Sequence, residues 1–444
     1  MGRNDQNKWL QDEVEAWFAE GLITSAQAES LRARYPVEEG RSSWGTILFS
    51  SIGAVIAGLG IILLFAYNWH AIPKFGKLAI VFGSLILAHG TGIRLYLASP
   101  RFRALGEALC LLGTMLFGAG IWLVAQIYHI NEHFPNAFLI WGLGAGLMAW
   151  ALPSVSQAML SAILLAVWGA SERIGFDNSI MAAPLLIAAA LGSLAYIHRS
   201  KLLLAVVIPS AVASLLFAVC HSAQHPWVIF ALILNIAALL IALRYLAGRY
   251  GSFPSSAGVL GFYGWSAFLV MLYLMSFPEL CHEFFSSHYY TQVLPIWQIL
   301  IPLLITAAAW AVALLRHWQD RAAQAPDQPG LDLYLVPLTV LLAFIDMFWL
   351  QSLDTGWAIA GPFNLVFLGL SGSMMSRGCR TGQSKQAVLG SVLFVLLVVA
   401  RYFDLFESLF IRGTVFIAVG VLLFLEGLFY SRQKKSLSAG GPDS

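Results

Sequence analysis

Charge is the first thing this sequence has little of. Asp, Glu, Lys and Arg make up 11% of its 444 residues and hydrophobic residues 59%, which leaves too little polar surface for a water-facing domain of this length. A soluble catalytic domain is thereby excluded from most of the chain. Cysteine is scarce too: four residues cannot make the disulfide framework of a small secreted scaffold. No G-x-x-x-x-G-K loop appears, so ATP-driven transport by this chain alone is disfavoured. The net charge is only +2, and no basic cluster exceeds what membrane topology demands, so nucleic acid is not an expected partner. The first 40 residues contain no long apolar run. A cleavable signal peptide is therefore not expected, and the first crossing serves as its own insertion signal.

Apolar runs are what the chain does have. They recur from Trp44 to Tyr430, and the mean hydropathy is +0.76. A helix needs about 20 mostly apolar residues to span roughly 30 Å of hydrocarbon. By that length rule about fourteen crossings are predicted, at 44–67, 75–98, 104–128, 134–152, 154–172, 180–198, 201–221, 226–247, 254–277, 294–315, 331–352, 356–375, 384–403 and 411–430. Membrane strands would need alternating segments, and lipid tolerates no unpaired backbone, so these continuous runs predict an all-α polytopic transmembrane bundle. The division that follows is a cytoplasmic helical hairpin at 1–41, a four-helix region at 42–152, about ten further helices at 153–430 and a disordered cytoplasmic tail at 431–444.

Lys and Arg resist translocation. With both termini in the cytoplasm, all but Lys74, Lys77, Arg173, Arg401 and Arg412 of the 25 basic residues fall inside, which predicts a bacterial inner-membrane protein in that orientation. Cys220 and Cys281 then fall near the outer surface, where an oxidising periplasm would let them pair, while Cys110 and Cys379 lie toward the reducing side. Spacing alone leaves that bridge open.

Before the first crossing, Leu10, Val14, Trp17 and Phe18 have helical spacing, Gly21 suits a helix stop, and Thr24 with Gln27 has capping-box spacing. Two short helices bury too little to stand alone, so the hairpin is expected to pack on the bundle, on a second copy of the chain or on a small membrane-protein partner. Within the crossings, Gly53 with Ala57, Ala54 with Gly58 and Gly142 with Gly146 allow close helix approach. Pro184, Pro209, Pro302, Pro337 and Pro362 are sites for kinks.

Residues 129–133, His-Ile-Asn-Glu-His, match the H-x-x-E-H signature of inverted zinc peptidases. That chemistry needs both imidazoles on one helical face, with Glu beside the metal-bound water. Here Pro135 and the next crossing leave no room for a supporting domain, so peptidase activity is not expected. His129 and His133, with His221 and His225 one helical turn apart, remain the metal candidates; no metal or other cofactor is assigned.

The stretches WFAEGLITSAQAESL, IGAVIAGLGIILLFAYNW and EALCLLGTMLFGAGIWLVAQIYHI resemble bacterial domain-of-unknown-function family 2157, most clearly over residues 9 to about 150. Arg401–Asp404, RYFD, is similar to the carboxy-terminal part of longer members and of unknown-function family 4401. The resemblance implies an inner-membrane protein and supplies no activity. It directs attention to Asn68, Trp69, Gln126, Tyr128, His129, Arg401 and Asp404, which the topology puts at one outer depth as a candidate ligand cluster. Trp and Tyr also anchor helices at interfaces, and Asn or Gln can tie helix ends together.

Ionisable groups within crossings are the other candidates, because a charge near the bilayer centre must face protein or water. Those are His89, Glu107, Asp346 and Glu426, as a proton relay or as buried polar contacts, with Arg94 placed to pair with Glu107. A transporter or lipid/small-molecule translocator accounts best for many helices, few loops and buried carboxylates, with a cavity lined by Asp346, Glu426, His89 or Asn235. A structural or regulatory component acting through the hairpin is the alternative. A membrane-embedded enzyme, less favoured, would draw on Gln126, Tyr128, His129, Glu172 and Asp404 at the outer face.

Overall fold

The computed structural model describes residues 10–35 with gaps at 12, 16 and 19, then 72–130, 133–220, 226–286, 296–322, 332–349 and 356–405, and scattered positions between 414 and 425. Among the described residues there are helices and no strand. The helices are α1 Ser25–Arg34, α2 Lys74–Ala98, α3 Arg103–Tyr128, α4 Pro135–Ala151, α5 Val155–Phe176 and α6 Ala182–Ile197. They continue with α7 Lys201–Cys220, α8 Pro226–Tyr250, α9 Ser256–Leu274, α10 Pro278–Ser286, α11 Ile296–Ala322, α12 Asp332–Trp349, α13 Gly356–Thr381 and α14 Ser384–Leu405. Nine helices among the described residues are long and apolar enough to cross a membrane. The protein is an all-α membrane protein.

The chain divides into two units, Met1–Ala79 and Ile80–Ser444. In the first, the anticipated capping box is formed. The Gln27 N–H donates to Thr24 Oγ1 at 3.4 Å and the Thr24 N–H to Gln27 Oε1 at 3.0 Å, satisfying donors that a helix start leaves open. Gly21 takes φ +72°, as a helix stop requires, and Gln11 Nε2 donates to the Tyr35 carbonyl at 3.1 Å, tying the two helical segments together. The crossing expected at 44–67 and most of that at 411–430 lie outside the described residues.

In the second unit, apolar side chains face outward as well as inward. Phe82, Ile86, Leu147, Leu304 and Leu365 are all exposed, which in water would be an adhesive surface and in lipid is the proper solvent contact. Helices then hold together through shape rather than through hydrophobic contrast. On α3, Gly106, Gly113 and Gly120 recur every seven residues toward α2. A Cβ at those positions would come within 2.4 Å of Tyr96 N, 2.4 Å of His89 Nδ1 and 2.9 Å of Val81 Cγ1, so only glycine lets the two helices run this close. Opposite, the Trp141 indole fills the notch at Gly118, and its Nε1 donates to the Thr114 carbonyl at 2.8 Å. The Gly142 and Gly146 pair read from sequence does face α5, where Ser161 Oγ donates to the Gly142 carbonyl at 2.7 Å.

Two cores result. One is built by α4–α7 around Ala162, Leu165, Trp168, Ile187 and Leu203; the other, by α8–α14 around Leu234, Phe268, Phe363 and Phe367. The run expected as a crossing at 180–198 is the shorter helix α6, with an irregular turn inside it. After Pro184 the helix widens by one residue per turn over Ile187–Leu191, then recovers at Gly192. Residues 278–286, between two expected crossings, form the extra short helix α10. The Cys281 thiol there is buried and donates to the Met275 carbonyl at 3.3 Å; the Cys220 side chain lies outside the described residues.

Alternating helix direction gives the bundle two chemically different ends. At one, Tyr96 Oη donates to the Leu152 carbonyl at 2.6 Å and accepts from Arg103, Tyr196 bonds Ser252, and Tyr250 Oη reaches the Arg316 carbonyl at 3.5 Å. This basic end carries Arg103, Arg199, Arg249, Arg316, Arg377 and Arg380. The opposite end holds the α3–α4 and α5–α6 connections, with His133 and Glu172.

Candidate functional site

The site grows from one face of α5. Residues 157, 161, 165, 168 and 172 follow helical spacing, and Gln157, Ser161, Leu165, Trp168 and Glu172 are all buried. Glu172 is 3% exposed and stands in the last turn of its helix, where the negative end of the helix dipole disfavours a carboxylate. Three side chains offset that. Trp168 Nε1 donates to Oε1 at 3.1 Å, Asn178 Nδ2 to Oε2 at 3.1 Å, and His133 Nε2 lies 2.8 Å from both oxygens.

Local backbone geometry brings these donors in. Asp177 caps α5 with φ +59°, and the N–H groups of Asp177 and Asn178 both return to the Glu172 carbonyl; this reversal turns the Asn178 amide back onto the carboxylate. His133 arrives from the α3–α4 connection, just before Pro135 opens α4, and its carbonyl accepts from the Asn136 N–H. Its ring packs on Phe176 with centroids 3.9 Å apart, and Phe176 meets Phe134 at 5.5 Å.

Contact with an acceptor-only carboxylate requires the hydrogen on Nε2, so Nδ1 remains as acceptor in the neutral ring and becomes a second donor in the cation. The His133 side chain stays 30% exposed while that of Glu172 is 4% exposed. His133 and Asn136 form the polar end of a groove of about 430 Å³ whose walls include Phe82, Phe117, Trp122 and Ile140. The arrangement is a buried carboxylate orienting an imidazole that remains accessible. It can bind the polar end of an amphiphile, or take and return a proton.

The cluster anticipated from sequence is only partly described. Asn68 and Trp69 lie outside the described residues, as do the side chains of Asp404, Asp346, Glu426, His221 and His225. Gln126, Tyr128 and His129 are exposed where α3 ends. His129 takes the left-handed conformation, φ +54°, and caps α3. The helix therefore does not persist through His133, and the peptidase-like pair lacks the helical register that signature needs. No group of three His, Cys, Asp or Glu suited to a metal occurs among the described residues.

Arg401 is buried, with its guanidinium 4.5 Å from the Phe277 ring centroid and 6.0 Å from that of Trp357. It belongs to the α8–α14 core region, not to the His133 site. His89 fills the notch at Gly113, with Nδ1 3.2 Å from the Leu85 carbonyl and Nε2 3.5 Å from Thr114 Oγ1, a packing contact between α2 and α3. Glu107 accepts from Ser154 Oγ at 2.6 Å and Ser156 Oγ at 3.0 Å, in place of the Arg94 pairing expected. Asn235 accepts from the Thr306 hydroxyl and ties α8 to α11.

Two further polar groups are buried on α5 and α7. Both amide atoms of Gln157, and Ser214 Oγ on α7, are buried without a hydrogen-bond partner among the described residues. Ser214 faces Gly169, where a Cβ would come within 2.9 Å of its hydroxyl. Ser214 thus stands between α5 and α7, while Gln157 shares the α5 face of Ser161, whose hydroxyl meets α4.

Residues 15–158 match the model of a family described as Predicted membrane protein (DUF2157). The match covers less than half of the chain, takes in His133 and ends before Glu172 and well before Arg401–Asp404. No curated protein and no solved structure matches the chain.

Proposed function

We propose that this membrane protein is a translocator of lipid-like or other small amphiphilic molecules, with the polar end of the cargo engaging His133 and Glu172. The carrying observation is the accessible His133 imidazole, held by the buried Glu172 carboxylate at the polar end of an apolar groove. Buried polar groups beside lipid are costly without partners, by several kcal/mol in hydrocarbon. The Gln157 amide and the Ser214 hydroxyl leave hydrogen-bonding capacity open at two levels, which is suited to a polar group in passage. Gln157 and Glu172 are 15 positions apart on one helix, a rise of about 22 Å, most of the roughly 30 Å that a headgroup must cross. The groove ending at His133 offers the apolar tail a wall of Phe82, Phe117 and Trp122 while the head stays at the imidazole. Our placement is the bacterial inner membrane with the basic end toward the cytoplasm, as retention of Lys and Arg requires.

The test is lipid scrambling and solute uptake in liposomes containing the purified full chain. Glu172→Gln and His133→Phe should each slow the activity by about ten-fold, the equivalent of one lost charge-assisted hydrogen bond. Wild-type rates in both variants would remove the site from the mechanism, and no transfer of any tested amphiphile by wild type would remove the translocator reading. A second reading has its own observation. Phe18, Leu22 and Tyr35 are exposed on the amino-terminal helices, a surface suited to a regulatory partner; deletion of residues 1–35 that left transfer intact but abolished a crosslinked complex would favour it.

A further inference from the structure

We propose that the basic end contains a binding site for a phosphate-bearing anion, built by α8, α13 and the start of α14. A cavity of about 450 Å³ is lined there by Arg244, Arg249, Arg377, Gln383, Gln386 and Trp265 among others, and no Asp or Glu occurs among its described lining residues. Three guanidinium groups and two amides at one cavity supply many N–H donors, and the arginine fork matches the oxygens of a phosphate.

Convergence is imposed by the backbone. Arg244 stands five residues before Arg249 on α8, about 7.5 Å deeper along the axis, so the two reach different levels of the cavity. The Arg244 stem crosses α9 at Gly261, where a Cβ would lie 2.6 Å from its Cδ; any larger residue would push the arginine out. On the other wall, Gly382 takes φ +68° to turn α13 into α14. Gly378 lets the two helices touch, since a Cβ there would be 2.2 Å from Ala387 N. That tight reversal sets Gln383 and Gln386 beside Arg377. Arg249 and Arg377 also engage other groups of the protein, which holds them in place and does not use up a five-donor guanidinium.

Retention of arginine on one side of a membrane accounts for basic residues at this end, but not for their collection around one cavity. Ile241, Leu333 and Trp310 add an apolar floor. Basic pockets between membrane helices with this composition suit an anionic phospholipid headgroup; a soluble phosphate compound would present the same oxygens. The site is independent of the reading given to His133 and Glu172.

The experiment uses the full chain in non-ionic detergent and follows the rise of its thermal midpoint with added ligand. Short-chain phosphatidylglycerol, phosphatidylcholine and inorganic phosphate are titrated separately. Wild type should respond saturably to phosphatidylglycerol or to phosphate, and not to phosphatidylcholine. A response to phosphatidylglycerol alone assigns the site to lipid, and one to phosphate assigns it to a soluble anion; either upholds the site. The double variant R244Q/R377Q should weaken the response by about ten-fold, and R94Q, at the same end but outside the cavity, should stay within about two-fold of wild type. Q386E adds a carboxylate to the wall while keeping every arginine, so it should weaken binding even if the double variant fails to fold. Absence of a saturable response to both anions, or equal weakening by R94Q, would overturn the proposal.

Discussion

At one end of the bundle the Glu172 carboxylate is 3% exposed and held by three donors. At the other, Arg244 and Arg249 are exposed around an open cavity. Both ends place charge next to lipid, and the physics differs. A carboxylate has a short side chain and must be satisfied where it stands, so its partners are fixed and buried with it. Arginine carries its charge on a long stem that lies along apolar surface and delivers the head to the interface. The difference teaches which charges act as structure. Removal of the buried one should damage the fold, while removal of an exposed one should alter mainly what binds.

That contrast is tested most severely at Glu172. Glu172→Ala leaves His133, Trp168 and Asn178 without their shared acceptor and should cost about 3–5 kcal/mol of stability, the range for breaking a buried charged contact. Glu172→Gln keeps the size and one acceptor and should cost about 1–3 kcal/mol. Arg244→Gln, at an exposed position, should stay within about 1 kcal/mol of wild type. Denaturant titration in mixed micelles reads all three, and an arginine loss as damaging as Glu172→Ala would break the comparison.

A smaller effect sharpens it through packing. Gly378→Ala puts a methyl group 2.2 Å from the Ala387 backbone nitrogen, so α13 and α14 must part. Gly372→Ala, with nothing within 4 Å on the same helix, should gain up to about 1 kcal/mol from helix propensity. The first should lose about 1–3 kcal/mol. Equal thermal midpoints for the two variants would mean that the α13–α14 contact is not close in the membrane.

Much of this architecture was legible as letters because lipid makes one demand strongly: apolar length with a satisfied backbone. The runs at 75–98, 104–128 and 384–403 correspond to α2, α3 and α14 within a few residues. Thr24 and Gln27 announced their capping box because that motif is local. The His133–Glu172 contact was not announced, since its partners are 39 positions apart and only alternating helix direction puts them at one end. A signal existed: Glu172 closed its predicted crossing, and Trp168 stood one turn before it. The H-x-x-E-H spacing presumes a helix, and α3 ends at His129. Val81, His89 and Tyr96 likewise gave no hint that α3 would approach through Gly106, Gly113 and Gly120, because the seven-residue interval has meaning only once a partner helix is present.

His129 provides the smallest and most discriminating change. It shares the motif with His133, but it is exposed, caps α3 at φ +54° and lies outside the contacts of Glu172. A left-handed conformation costs a residue with a Cβ about 1–2 kcal/mol, whereas glycine adopts it freely but loses more chain entropy on folding, by about 0.5–1 kcal/mol. His129→Gly should therefore raise stability by a few tenths of a kcal/mol up to about 1 kcal/mol, and leave amphiphile transfer at the wild-type rate. His133→Phe should instead keep ring contact with Phe176 while slowing transfer about ten-fold. If His129→Gly impaired transfer as His133→Phe does, the outer cluster would extend back along α3 to Gln126 and Tyr128, and the imidazole held by Glu172 would be one ligand-binding group among several at that end of the bundle.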